Sequence, residues 1–98
     1  MKFEWNPQKA KSNLRKHGVS FEEALTVFKD TLAFIFDDLE HSQAEQREII
    51  IGTSTLGRIV LVCFVERSED TLRIFSARRA TKNEINDYEK NARKQIHS

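Results

Sequence analysis

Arg58–Arg79 reads RIVLVCFVERSEDTLRIFSARR, and this stretch decides the fold. Ile59 to Val65 is seven consecutive apolar residues, rich in β-branched types. A run of that length without alternation predicts a strand covered on both faces, and hence a central one. Leu72, Ile74, Phe75 and Ala77 give the second half an apolar majority, and Ser68-Glu69-Asp70 between the halves are turn formers. The stretch therefore reads as an antiparallel hairpin. Arg67 closes its first strand, and Arg78 with Arg79 closes its second. A sheet that delivers guanidinium groups at its strand ends is a platform for an anionic ligand.

Upstream of the hairpin, Phe3-Glu4-Trp5 alternates and predicts a short first strand. Asn6-Pro7 opens a helix, with Asn as N-cap and Pro at the first helical position. That helix runs to about His17 and stops at Gly18, with Ala10 and Leu14 as its inward stripe and Asn13 and His17 flanking it. Ser20 and Glu23 form a capping-box pattern opening a second helix, whose stripe is Phe21, Ala24, Leu25 and Phe28. Leu32–Phe36 and Arg47–Thr53 are the next strands, joined by an acidic loop holding Asp37, Asp38, Glu40 and His41. Thr81 and Glu84 form another capping box before a terminal helix striped by Ile85, Tyr88, Ala92 and Ile96, expected to pack across the sheet. The order β-α-α-β-β-β-β-α gives an α+β class, with an antiparallel sheet and segregated helices.

With 98 residues, 39% hydrophobic and 32% charged, residues 1–98 read as one domain with a modest core. The longest apolar run is seven residues, which excludes a membrane span and a signal-peptide core and makes the cytoplasm the expected location. The net charge of +1 conceals a segregation. Residues 1–18 carry five Lys/Arg against one acid, residues 19–48 two against eight, and residues 49–98 nine against six. That pattern predicts one positive and one negative face, or simply two solvated surfaces.

The three histidines and single cysteine show no metal-ligand spacing, and no Gly-rich phosphate loop or nucleophile elbow is present. No cofactor is expected. The acidic loop is a solvated segment or a weak cation site, and Cys63 is a small buried hydrophobe. The close succession of the first two helices permits a DNA-reading motif, but the acidic, Phe-rich second helix is a poor recognition helix. What remains is a cationic group: Lys16 and His17 at a helix end, Arg67, Arg78 and Arg79 at strand ends, and Tyr88 one turn into the last helix. Metal-free RNA cleavage needs a base, an acid and cations for the charged phosphorane, and these residue types supply them. Taken singly, each also has a structural role: His17 on the helix dipole, Tyr88 in the core, the arginines paired with acids.

Several blocks in order resemble the BrnT family, the toxins of BrnT–BrnA type II toxin–antitoxin modules. They are Phe3-Glu4-Trp5-Asn6, Lys9, Asn13, Lys16-His17-Gly18-Val19, Phe21-Glu22-Glu23-Ala24, Val27-Phe28 and Asp30. Asp38, His41, Glu45, Arg47, Gly52, Arg67, Ser76-Ala77-Arg78-Arg79-Ala80, Glu84 and Tyr88 continue the resemblance. Asn6 departs from the family's usual Asp, although both residues cap helices. The resemblance implies a RelE-like fold and a metal-independent ribonuclease that arrests translation. It also implies a BrnA-like antitoxin with a ribbon-helix-helix module, through which the complex meets operator DNA. On this basis Arg67 and Arg78 are expected to hold the scissile phosphate, with His17 as base or acid. Lys16, Arg79 and Tyr88 are expected to bind RNA, Tyr88 by stacking, and His41 and Arg47 are further candidates. The rival expectation is a non-catalytic RelE-fold module that acts only within an autoregulatory DNA-binding complex.

Overall fold

A computed structural model describes residues 1–40 and 45–97. One five-stranded sheet organises them. Its strands are β1 (Lys2–Glu4), β2 (Phe34–Asp37), β3 (Glu48–Thr53), β4 (Ile59–Ser68) and β5 (Thr71–Arg79), in the spatial order β1-β5-β4-β3-β2. The apolar run is indeed the middle strand. β2, β3, β4 and β5 pair antiparallel, but β1 lies parallel to β5, with Phe3 beside Leu72, so the sheet is mixed rather than wholly antiparallel. The chain leaves β1 through α1 and α2 and re-enters the sheet at β2 on the opposite edge, so β1 and β5 are not joined by a hairpin and can run parallel.

Helices α1 (Pro7–His17) and α2 (Phe21–Val27) cover one sheet face, and α3 (Lys82–His97) starts over the other. Asn6 Oδ1 accepts from the N–H groups of Gln8 and Lys9, and Gly18 ends α1 at φ 68°, where a side chain would be strained. Ser20 Oγ accepts from Glu23 N–H at 2.9 Å. The expected return bond of that capping box is absent. Glu23 instead sends its carboxylate to Arg58 and to Ser54 Oγ, the latter at 2.7 Å. Arg58 also donates to Gly18 O, so this largely buried pair fastens the α1–α2 junction to the β3–β4 turn. The Arg58 hydrogen bonds, with that from Ser54, hold the Glu23 carboxyl below its ordinary pKa despite burial.

The main core lies beneath α2. Val19, Phe21, Ala24 and Val27 meet Ile50, Val60, Val62, Phe64, Ile74 and Ala77 there. Trp5 packs edge-on against Phe21, and Phe28 edge-on against Phe64. Full burial of a ring such as Phe21 contributes about 1.5–3 kcal/mol. Gly52 is required by space: an added Cβ would lie 2.8 Å from Ala33 Cβ and 3.1 Å from Asp30 Oδ2.

The opposite face is covered only in part. Tyr88 is buried with Ile51 and Leu61, and Ala92 is also buried, but Ile96, the last member of the expected α3 stripe, is 63% exposed. α3 therefore seals the sheet with its first turns and leaves the rest of this face open. β2 starts two residues later than expected because Asp30 Oδ1 accepts from Leu32 N–H at 2.9 Å and turns the chain there. No helix among the described residues is long and apolar enough to cross a membrane.

Candidate functional site

β1 pairs with β5 only over Thr71–Arg73, which leaves the upper edge of β5 without a strand partner. Helix α1 fills that edge. Lys9, Asn13 and His17 recur at i, i+4 and i+8, so they lie along one side of the helix. Asn13 is buried and acts as a substitute strand. Its Nδ2 donates to Ala77 O at 2.8 Å and to Val19 O at 2.9 Å, while Oδ1 accepts from Ala77 N–H at 3.1 Å. The Asn13 clamp sets His17 one helical turn along, where it lines the same cleft as Ala77 and Arg78, and Lys9 one turn back.

Between the pairs Cys63–Ser76 and Phe64–Ile74, β5 carries one extra residue, Phe75. This bulge re-aims a side chain at the strand edge. The Phe75 ring takes Arg47 Cζ at 4.1 Å from its centroid and Lys9 Nζ at 5.2 Å. Both distances suit cation–π contacts.

A cleft of about 560 Å³ opens on the less covered sheet face. Phe36, Ile49, Leu61 and Cys63 give it an apolar floor. Lys9, His17 and Arg78 form the wall on the α1–β5 side, Arg47 lies at the start of β3, and Asp37, Asp38 and Glu40 form the wall beyond β2. Lys9 and His17 thus face Asp37 and Glu40 across the floor, while Glu84 lies among the basic groups paired with Arg78 and the Asp38 carboxylate reaches in to Cys63.

Arg78 is held rigidly. Its NH1 and NH2 each donate to Glu84 at 2.8 Å, and Glu84 Oε1 also accepts from Thr81 N–H at 2.8 Å. The Arg78 hydrogen bonds draw the Glu84 carboxyl down to about 2, outweighing burial, and Glu84 reciprocally raises Arg78. The same carboxylate that caps α3 therefore aims a guanidinium into the cleft. Cys63 Sγ donates to Asp38 Oδ2 at 3.3 Å, and burial, followed by the Asp38 carboxylate, pushes the thiol up to about 12. That thiol stays protonated at neutral pH and is no nucleophile. Asp38 is itself buried, not part of a solvated acidic loop.

The expected site residues divide. His17, Arg78 and Arg47 meet in the cleft. Arg67 does not join them. Leu61 is the β4 partner of Arg78, and Arg67 lies six residues further along β4, about 20 Å at 3.3 Å per residue. Arg67 is the extra residue of a second bulge, between the pairs Glu66–Leu72 and Ser68–Thr71, and it pairs with Glu45 at 2.6 Å, so in this arrangement one phosphate does not receive both arginines. The expectation overlooked that the C-terminal ends of two antiparallel strands lie at opposite ends of the sheet. Tyr88 is also displaced from its expected RNA-stacking role. It is 7% exposed, and its hydroxyl donates to Asp30 Oδ2 at 2.5 Å and accepts from Thr53 Oγ1 at 3.2 Å. Its ring belongs to the core. Lys16 is exposed and does not line the cleft, and Arg79 faces the Glu23 side, where its charge helps lower that carboxyl. His41 lies outside the described residues.

Lys9, Phe36 and Phe75 escaped the sequence reading. The i, i+4, i+8 spacing of Lys9, Asn13 and His17 was a usable signal, whereas the bulge that presents Phe75 leaves no mark in the composition.

A family model described as "Ribonuclease toxin, BrnT, of type II toxin-antitoxin system" matches residues 5–84. The crystal structure of the Brucella abortus ribonuclease toxin BrnT is similar to this fold with a TM-score of 0.65 at 26% identity. The similarity covers 84% of this chain and 99% of that one. No curated protein matches.

Proposed function

Because this chain belongs to the BrnT family of ribonuclease toxins of type II toxin–antitoxin systems, we propose that it cleaves RNA in the α1–β5 cleft without a metal ion. The observation that carries this reading is the convergence of His17 and Arg78 on one cleft across the clamped edge of β5. In-line cleavage transfers the 2′-hydroxyl proton to a base as O2′ bonds to phosphorus. The P–O5′ bond then breaks, the 5′-oxygen takes a proton, and a 2′,3′-cyclic phosphate is left. Imidazole is the side chain in this cleft suited to moving a proton near neutral pH, so His17 handles one of the two transfers. Arg78 donates to the non-bridging oxygens, and Lys9 and Arg47 add positive potential on the same side. The use of cationic side chains in place of a metal makes the chemistry RelE-like.

Loss of cellular RNA would arrest translation, an activity that belongs in the cytoplasm. A BrnA-like ribbon-helix-helix antitoxin would neutralise the toxin and carry the complex to operator DNA. The test is purified, antitoxin-free protein incubated with RNA and EDTA. We expect cleavage to persist in EDTA and to fall at least a hundredfold in Arg78→Ala and His17→Ala. Cleavage that needs added magnesium would refute metal independence. Folded wild type that never cleaves would instead identify a binding module.

A further inference from the structure

We infer that the apolar floor of the cleft is a stacking subsite for one base of a single-stranded RNA, with Phe36 as its platform. This deepens the ribonuclease reading and rests on it. The β2–β3 register places Phe36 beside Ile49, and the β3–β4 register places Ile49 beside Cys63, so these side chains share the cleft face. Phe36 is 42% exposed. Phe34, the preceding residue on that face, is half-buried in the cluster sealed by Tyr88, and its ring centroid lies 5.9 Å from that of Phe36. The same strand thus supplies one aromatic to the core and the next to the cleft. A half-exposed ring on a floor otherwise made of aliphatic and thiol groups offers a π-face to a flat ligand, and nucleobases stack on such rings irrespective of sequence. The volume of about 560 Å³ lies within the range of small-ligand pockets.

Charge fixes the direction in which a nucleotide enters. Asp37 and Glu40 on the β2 side repel phosphate, whereas Lys9, and Arg78 held by Glu84, on the α1–β5 wall attract it. A nucleotide satisfies both walls only with its phosphate toward α1 and its base toward β2, over Phe36. A nucleotide joins a flat base to a phosphate, the combination that the exposed ring and the basic wall accept together, so the single-stranded nucleotide is the occupant this arrangement favours.

The experiment measures binding of a 2′-O-methyl oligonucleotide, which cannot be cleaved, beside cleavage of the matching RNA. Wild type, Phe36→Ala, Phe36→Leu and Phe36→Trp are compared, each checked for a native melting transition. Phe36→Ala is expected to weaken binding about tenfold and to raise KM in parallel with little change in kcat. Phe36→Trp should restore both, and Phe36→Leu, apolar but without a π-face, should not. Replacing one nucleotide of the oligonucleotide by an abasic residue should weaken wild type by a similar factor and leave Phe36→Ala nearly indifferent. Wild-type binding and cleavage by Phe36→Ala would overturn the subsite while leaving the ribonuclease reading intact. Loss of antitoxin capture with unchanged RNA affinity would overturn it too, by assigning the ring to the antitoxin. A wild type that neither binds nor cleaves RNA would refute the ribonuclease reading itself.

Discussion

Glu84 serves two structures with one carboxylate, capping α3 through Thr81 N–H and holding both terminal nitrogens of Arg78. Its pKa falls on folding from an ordinary 4.5 to about 2. A carboxylate depressed in this way contributes its stability in full above about 4.5 and loses it as the pH falls through about 2. Arg78 is 43% exposed, so solvent screening reduces the contribution to about 1 kcal/mol. Glu84→Gln is therefore expected to lower stability by about 1 kcal/mol at pH 7, and the gap from wild type should close between pH 4.5 and pH 2. Urea melts across that range decide it, and a gap constant with pH would show that the charge is not the cause.

At the scale of elements, α1 is anchored by a polar residue where a hydrophobic stripe was expected. Asn13 is buried, while Leu14 is 51% exposed. Apolar spacing made Ala10 and Leu14 the inward pair, and nothing local told Asn13 that an unpaired stretch of β5, 64 residues away in sequence, needed its amide. The Glu23–Arg58 pair escaped the reading in the same way, because a capping-box pattern is local and its carboxylate went to a partner 35 residues distant. Features written in consecutive residues were legible: the Ile59–Val65 run at the sheet's centre, the Asn6-Pro7 start, the Gly18 stop and the Thr81–Glu84 box. Removing the Asn13 amide leaves the backbone polar groups of Ala77 and Val19 without a protein partner, at a cost of about 2–3 kcal/mol. Asn13→Ala should lower the melting transition accordingly and cut kcat for RNA well beyond what stability explains, because His17 loses its register on Arg78. Assays at a temperature where the variant is fully folded separate the two effects, and an unchanged kcat there would make Asn13 purely structural.

Over the whole molecule, Arg78 stands at one end of the sheet and Arg67 at the other, about 20 Å apart, with Arg47 of the cleft between them along the strand direction. The hairpin's topology forces that separation, since its two strands run in opposite directions and each ends in arginine. Sequence adjacency of type, arginine at both strand ends, disguised a spatial opposition. RNA held at Arg78 therefore meets Arg67 only several nucleotides along the chain, and the two arginines should fail differently when removed. Arg78→Ala is expected to lower kcat at least a hundredfold, because its contacts strengthen as charge develops on the phosphorane. Arg67→Ala should leave kcat within about twofold, raise KM severalfold, and reduce the salt dependence of binding by roughly one phosphate contact. An oligonucleotide too short to span both positions should show no Arg67 effect at all, while remaining fully sensitive to Arg78. If Arg67→Ala instead abolished cleavage of that short substrate, the two guanidinium groups would have to converge on bound RNA. Convergence would require Arg67 to leave Glu45 and the sheet face to bend, a rearrangement that a structure of the RNA complex would reveal.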